Sequence, residues 1–161
     1  MIVVSDTSPL LNLAVVGKLD LLQQLYGGVV IPGAVAEELS ICEPEQFGLQ
    51  HISTLSWVAV RQVQNHGLVA ALLMELDGGE AEAIVAALET GAHLLLMDER
   101  RGRRVASRFG LRFSGVLGIV VEAKRRGLVD PVKPILDDLV IKAGLWVGAA
   151  LYQRVLQVAG E

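Results

Sequence analysis

The stretch Val3-Val4-Ser5-Asp6-Thr7-Ser8-Pro9 decides how this chain is read. Ile2 to Val4 form a short apolar run of the buried-strand type, and Asp6 follows at once. Thr7 and Ser8 are capping residues, and Pro9 suits the first turn of a helix because proline loses no needed N–H there. A buried strand therefore ends on a carboxylate, and in open α/β sheets the carboxyl edge of the strands is where ligands sit. Aspartate is also a leading helix cap. Whether Asp6 is a cap or part of a site turns on what the rest of the chain brings to the same edge.

The totals fix the class. At 161 residues, 52% hydrophobic and 20% charged, the chain is expected to form one globular domain over 1–161 with a full core. Aromatic residues are only 4%, which speaks against single-strand binding built on aromatic platforms. The lone Cys42 forms no internal disulfide and, without a Cys/His cluster, no zinc site, so a cytoplasmic, reducing compartment fits. No leader is expected, since Asp6 interrupts the first apolar run. The uncharged run from Leu21 to Ala36 carries Gln23, Gln24, Gly27, Gly28, Pro32 and Gly33 and is no membrane span. Net charge is −4, yet nine of the 14 Lys and Arg residues fall between Arg100 and Arg126, a basic belt that could meet a polyanion.

In chain order, Leu10 to Ala14 and Leu19 to Leu25 read as two helical pieces broken near Gly17. Val29-Val30-Ile31 is a second strand, and Pro32 begins a helix with Val35 and Leu39 stacked at i, i+4. Glu38 lies beside that apolar stripe, whereas Glu37 points to solvent. Cys42 to Ser56 reads as loop with a helical turn, Trp57 to Val60 as a weak strand and Leu68 to Glu75 as a short helix. Asp77-Gly78-Gly79 turns into a helix from Glu80 to Glu89 whose Ala81, Ile84, Val85 and Leu88 face inward. Leu94 to Met97 is the most apolar strand, and Asp98 follows it as Asp6 follows the first. Arg100 to Phe109 is a helix with Gly102, Val105 and Phe109 inward. Leu111 to Phe113 is a last strand, and three amphipathic helices (116–126, 132–143, 148–159) close the chain. Alternating strands and helices imply a three-layer α/β/α fold on a mostly parallel sheet.

In such a sheet helix N-termini lie at the carboxyl edge, so Asp6, Glu38, Glu80 and Asp98 gather there. Clustered carboxylates repel and take raised pKa values unless a cation joins them. Oxygen donors without His or Cys at ligand spacing favour Mg²⁺ or Mn²⁺ over zinc, and such ions serve phosphodiester cleavage. An isolated acid in a first helical turn is more often a helix-dipole partner than a ligand, but four at one edge, two of them straight after buried strands, tip the reading toward a metal site.

The ordered series SDTSPLLNLA, VVIPGAVAEEL, LDGGEAEAIVAAL, LLLMDERRGRRVASRFGL, SGVLGIVVEAKRRGLV and ILDDLVIKAGLWV resembles the PIN-domain superfamily over nearly the whole chain. More narrowly it is similar to short prokaryotic PIN-like proteins close to the toxin nucleases of VapBC-type toxin–antitoxin pairs. The resemblance implies Mg²⁺- or Mn²⁺-dependent RNA cleavage, homodimers and a small antitoxin partner. It assigns Asp6, Glu38 and Asp98 to three acidic metal positions. For the remaining one the chain offers Glu80, with Glu82 as the alternative, where many relatives have aspartate. Glu80 and Glu82 flank the apolar face on opposite sides, so one of them reaches the site, and the register to Asp98 favours Glu80.

Ser8 and Asn12, four apart on the first helix, share a direction. Ser8 suits either phosphate binding or capping. Arg100, Arg104 and Arg108 suit an RNA backbone, through phosphate contacts that position without specifying sequence, or else an ordinary solvated, ion-paired helix face. The scattered His51, His66 and His93 support no triad. Two further readings stand beside a metal-dependent ribonuclease: a non-cutting PIN-like module that binds RNA or a protein, and a phosphotransfer domain with an aspartate nucleophile. The last lacks the second aspartate two residues after Asp6 that a haloacid-type phosphatase shows.

Overall fold

The computed structural model describes residues 1–42 and 51–161. Five parallel strands form one sheet: β1 (Val3–Ser5), β2 (Val29–Pro32), β3 (Val58–Arg61), β4 (Leu94–Leu96) and β5 (Phe113–Ser114), in the order β3-β2-β1-β4-β5. The helices are α1 (Thr7–Val15), α2 (Asp20–Tyr26), α3 (Gly33–Cys42), α4 (His66–Leu72), α5 (Gly78–Thr90), α6 (Arg100–Arg108), α7 (Val116–Arg125), α8 (Lys133–Ile141) and α9 (Ala149–Val158). A 3-10 turn lies at Ile52–Thr54.

Period-two alternation splits the strand side chains between two cores. Val3, Val29, Ile31 and Leu96 pack on one face with α1, α2, α7 and α8. Val4, Leu95 and Met97 pack on the other with α4, α5 and α6. The result is the three-layer α/β/α fold expected from the alternation of elements, with every strand pair parallel. Helix α5 is buried nearly all round rather than on one stripe: Ala81, Ala83, Ile84, Val85, Ala86 and Ala87 are each fully covered. Small alanines let it lie against the sheet and its neighbouring helices at once.

The chain lays β2 and β3 on one side of β1, then returns and lays β4 on the other. The strand order therefore reverses between β1 and β4, the crevice where doubly wound sheets bind ligands. Val3 to Ser5 pair with Leu94 to Leu96, and the Asp6 N–H donates to the Leu96 carbonyl at 2.9 Å. Asp6 and Asp98 thus stand at the two lips of that crevice.

Several boundaries differ from the expectations. Helix α1 starts at Thr7, so Thr7 and Ser8 are its first two residues rather than its caps, Asp6 takes the N-cap position and Pro9 lies in the first turn. Pro32 ends β2 instead of starting a helix, its ring tolerated at a strand terminus. The last strand is shorter and later than Leu111 to Phe113, because the Leu111 N–H is spent on the Ala106 carbonyl that closes α6. Phe109 is 39% exposed, not inward, since the helix ends before its side chain can follow the buried face. The expected loop from Cys42 to Ser56 falls partly on 43–50, outside the described residues. Cys42 is exposed. Among the described residues no helix is long and apolar enough to cross a membrane.

Candidate active site at the carboxyl edge

Asp6 sits at the N-cap position of α1, yet its side chain makes no capping bond and it is only 3% exposed. Its carboxyl is pushed up to about 7, chiefly by burial, with the nearby negative charges of Asp77, Glu80 and Glu38 adding to the rise and the Thr7 amide opposing it. The cap explanation of Asp6 therefore accounts for its place in the chain and not for its environment.

Glu80 is reached through a turn and a cap. The Asp77 carboxylate accepts from the Glu80 N–H at 2.8 Å, and the Glu80 carboxylate accepts from the Asp77 N–H at 3.1 Å, a reciprocal capping box. The Glu80 side chain is 1% exposed, and Arg101 donates to its Oε1 from Nε at 3.2 Å and Nη2 at 3.0 Å. Burial raises its pKa against the opposing pull of the Asp77 amide and Arg101. Its Oε2 is buried without a hydrogen-bond partner.

Asp98 shows the same division of labour between its two oxygens. Oδ1 accepts from the Val116 N–H at 2.9 Å, in the first turn of α7, with the Arg103 guanidinium 4.0 Å away, whereas Oδ2 is buried and unpartnered. Its pKa is raised, burial outweighing the Val116 amide and Arg103. Arg103 is itself fixed by donating from Nε to the Met97 carbonyl at 2.7 Å and by lying 5.3 Å above the Phe113 ring.

Glu38 and Glu82 bind helix ends reciprocally. Glu38, on α3, accepts from the Gly79 N–H of α5 at 3.1 Å and from the Thr7 hydroxyl. Glu82, on α5, accepts from the Ala34 N–H of α3 at 3.1 Å. Each carboxylate thus meets the positive end of the other's helix. Glu38 remains tied to the crevice through Thr7, beside Asp6, whereas Glu82 is turned to the start of α3.

Three glycines permit this crowding. A Cβ at Gly79 would lie 2.6 Å from Glu38 Oε1, one at Gly102 3.0 Å from Glu80 Oε2, and one at Gly115 2.3 Å from Asp98 Oδ1.

Ser8 and Asn12 are half-buried on α1, and Arg100 and Arg104 are exposed on α6 with no ion pair to a described residue. Arg108 is engaged elsewhere, 2.6 Å from Glu75. Much of the basic belt is neutralised in the same way, Arg125 and Arg126 by Glu122, and Lys124 by Asp130 and Glu161. His93 stands at the opposite edge of the sheet, where its Nδ1 accepts from the Ile2 N–H at 2.9 Å.

Asp77, Thr7, Arg101 and Arg103 were missed by sequence reasoning. The D-x-x-E spacing of Asp77 and Glu80 was a legible signal for a capping box, but nothing in the sequence pairs Arg101 with Glu80. Among the described residues no three Asp, Glu, His or Cys side chains stand together closely enough to form a ready ligand shell for a metal ion. The donor chemistry nevertheless suits a hard divalent cation: all the groups are carboxylates, and two buried oxygens lack partners.

Fold and site together define a doubly wound α/β protein with a buried acidic crevice at its topological switch point. A family model described as a PIN domain matches residues 2–161, and the chain belongs to that family. PIN domains are in general nucleases, which places the chain at that coarse level among the hydrolases. No curated protein matches it.

Proposed function

We propose that the chain is a single PIN-like nuclease domain that cleaves RNA phosphodiesters with Mg²⁺ or Mn²⁺ at the crevice between β1 and β4. The observation that carries this reading is the pair of buried, unpartnered oxygens, Glu80 Oε2 and Asp98 Oδ2, at the sheet edge that also holds an Asp6 whose ionisation burial opposes. Asp6, Glu38, Glu80 and Asp98 would hold the cation, and Glu82 is set aside because it is engaged at Ala34. The bound ion supplies Lewis acidity, making water a stronger nucleophile and offsetting charge on the phosphate.

The chain's own groups prepare the site. The Val116 amide and Arg103 fix Asp98 so that Oδ2 is left for a ligand. The Thr7 hydroxyl and Gly79 amide fix Glu38. Arg101, on Glu80 Oε1, offsets part of the negative charge while Oε2 stays without a partner. Arg100 and Arg104, with Ser8 and Asn12, are the groups offered to the RNA backbone. In this reading the protein resembles the toxin of a VapBC-type pair, acts in the cytoplasm, forms a homodimer and is held by a small antitoxin.

The decisive experiment is cleavage of a labelled structured RNA pool with Mn²⁺, Mg²⁺ or EDTA by wild type, Asp6→Asn and Asp98→Asn. Metal-dependent cutting abolished by both substitutions, a loss of at least about 100-fold on the scale of removing an electrostatic catalytic group, is expected. A folded wild type that cuts nothing with metal would move the reading to its rival, a PIN-like module that binds RNA or a protein without cutting. The Arg101 guanidinium on Glu80 Oε1, which already supplies a positive charge to that carboxylate, is the feature that favours the rival.

A further inference from the structure

Beside the acidic crevice lies a groove of about 410 Å³ between α6, β5, the start of α7 and the connection from α8 to α9, bordered by Asp98, Arg103, Ser114, Leu117, Trp146 and Leu151. That volume is in the range of small-ligand pockets. We propose that this groove takes one unpaired nucleobase of the RNA strand, stacked on Trp146, next to a phosphate held by Arg103 at the edge of the crevice; the inference rests on the ribonuclease reading above.

Three observations carry it. Trp146 is 85% exposed, although burial of its indole is worth more than that of almost any other side chain. The benzo edge of the ring lies beside Gly148, where a Cβ would be 3.4 Å from Cη2, so the absent side chain there leaves room for the indole. Second, two glycines let polar side-chain atoms pack into the wall of the groove. A Cβ at Gly118 would fall 2.3 Å from Ser114 Oγ, and one at Gly115 would fall 2.2 Å from Arg103 Nη2 and 2.3 Å from Asp98 Oδ1. Third, the groove is continuous with the crevice, because Asp98 belongs to both and Arg103, clamped on the Met97 carbonyl and Phe113, puts a fixed cation between them.

That combination selects the occupant. An apolar peptide would cover the charges of Asp98 and Arg103 without satisfying them, at a desolvation cost. A nucleotide matches each part: a π-face for the indole, a phosphate for the guanidinium, and base edge groups for the Ser114 hydroxyl, whose own bond to the Gly115 carbonyl is long at 3.4 Å. With aromatics at 4% of the chain, this is one stacking position and not a platform, so it would read a single nucleotide beside the cut.

The test uses a Trp57→Phe, Asp6→Asn protein, in which Trp146 is the sole tryptophan and cleavage is blocked, with a short fluorescein-labelled single-stranded RNA and Mg²⁺. RNA binding followed by anisotropy should quench the tryptophan emission with the same midpoint. Trp146→Ala should raise the dissociation constant about 5- to 100-fold, the range of one base–aromatic stack, and Trp146→Tyr should restore it to within a few-fold. RNA binding with unchanged emission and an unchanged constant in Trp146→Ala would overturn the base subsite while leaving the nuclease reading standing. No RNA binding by this protein and no binding or cleavage by wild type with Mg²⁺ would overturn that reading and the subsite with it. Sedimentation showing that Trp146→Ala turns an oligomer into a monomer would overturn the proposal by assigning the indole to a contact between copies.

Discussion

At the residue scale, Asp6 shows how place in the chain and chemical state separate. An N-cap aspartate on the surface would gain stability from its charge; this one, buried among Asp77, Glu80 and Glu38, loses by it. In the metal-free protein its pKa is about 7 against 3.8 for the free side chain. Below about pH 4 both folded and unfolded forms carry the proton, and the full stability is present. Between pH 4 and 7 the unfolded chain has released a proton that the folded one still binds, so stability falls as pH rises through that window. Asp6→Asn, neutral throughout, should therefore gain on wild type from pH 4 to 7 by up to about 4 kcal/mol, at about 1.4 kcal/mol per pKa unit. Denaturant unfolding in EDTA at both pH values measures the difference, and a constant gap would refute it. Asp6 was legible from the strand before it. Arg101 was not, because its partner Glu80 lies in a different helix and only packing sets that distance.

At the element scale, α5, α6 and α7 approach the crevice through glycines. The first turn of α6 runs so close to β4 that a Cβ at Gly102 would be 2.4 Å from Met97 Sδ and 3.0 Å from Glu80 Oε2. Met97 is fully buried and has nowhere to go. Gly102→Ala should cost about 1–3 kcal/mol, the usual penalty for overpacking, read as a lower denaturation midpoint. Gly115→Ala is different in kind, since the atoms in its way are Asp98 Oδ1 and Arg103 Nη2 rather than core. It should leave the fold and reduce RNA cleavage at least 10-fold, with circular dichroism and the cleavage assay separating the two effects. The helices were legible from their apolar spacing; their ends were not. Pro32 and Leu111 fell on the other side of a boundary because hydrogen bonding to a neighbouring element decided it.

At the scale of the whole molecule, the reversal of strand order between β1 and β4 brings together acids that lie 92 residues apart, at 6 and 98. Such a site binds a cation only when its carboxylates are ionised, in competition with protons. Excess Mn²⁺ or Mg²⁺ at pH 8 should raise the melting temperature, by about 5–10 °C at one hundred times the dissociation constant, and do much less at pH 5. Equal shifts at both pH values, or the same shift in Asp98→Asn, would show that the ion binds elsewhere. The alternating α/β class, the three layers and the acids that follow the first and fourth strands are legible from the chain alone, because strand hydrophobicity and helix periodicity are local properties. Packing alone sets which carboxylate oxygens stay unpartnered, turns Glu82 to the start of α3 and Glu80 to the crevice, and brings Arg101 onto Glu80 and Arg103 beside Asp98. Those facts depend on how closely separate helices pack at one sheet edge, and no local pattern encodes that distance.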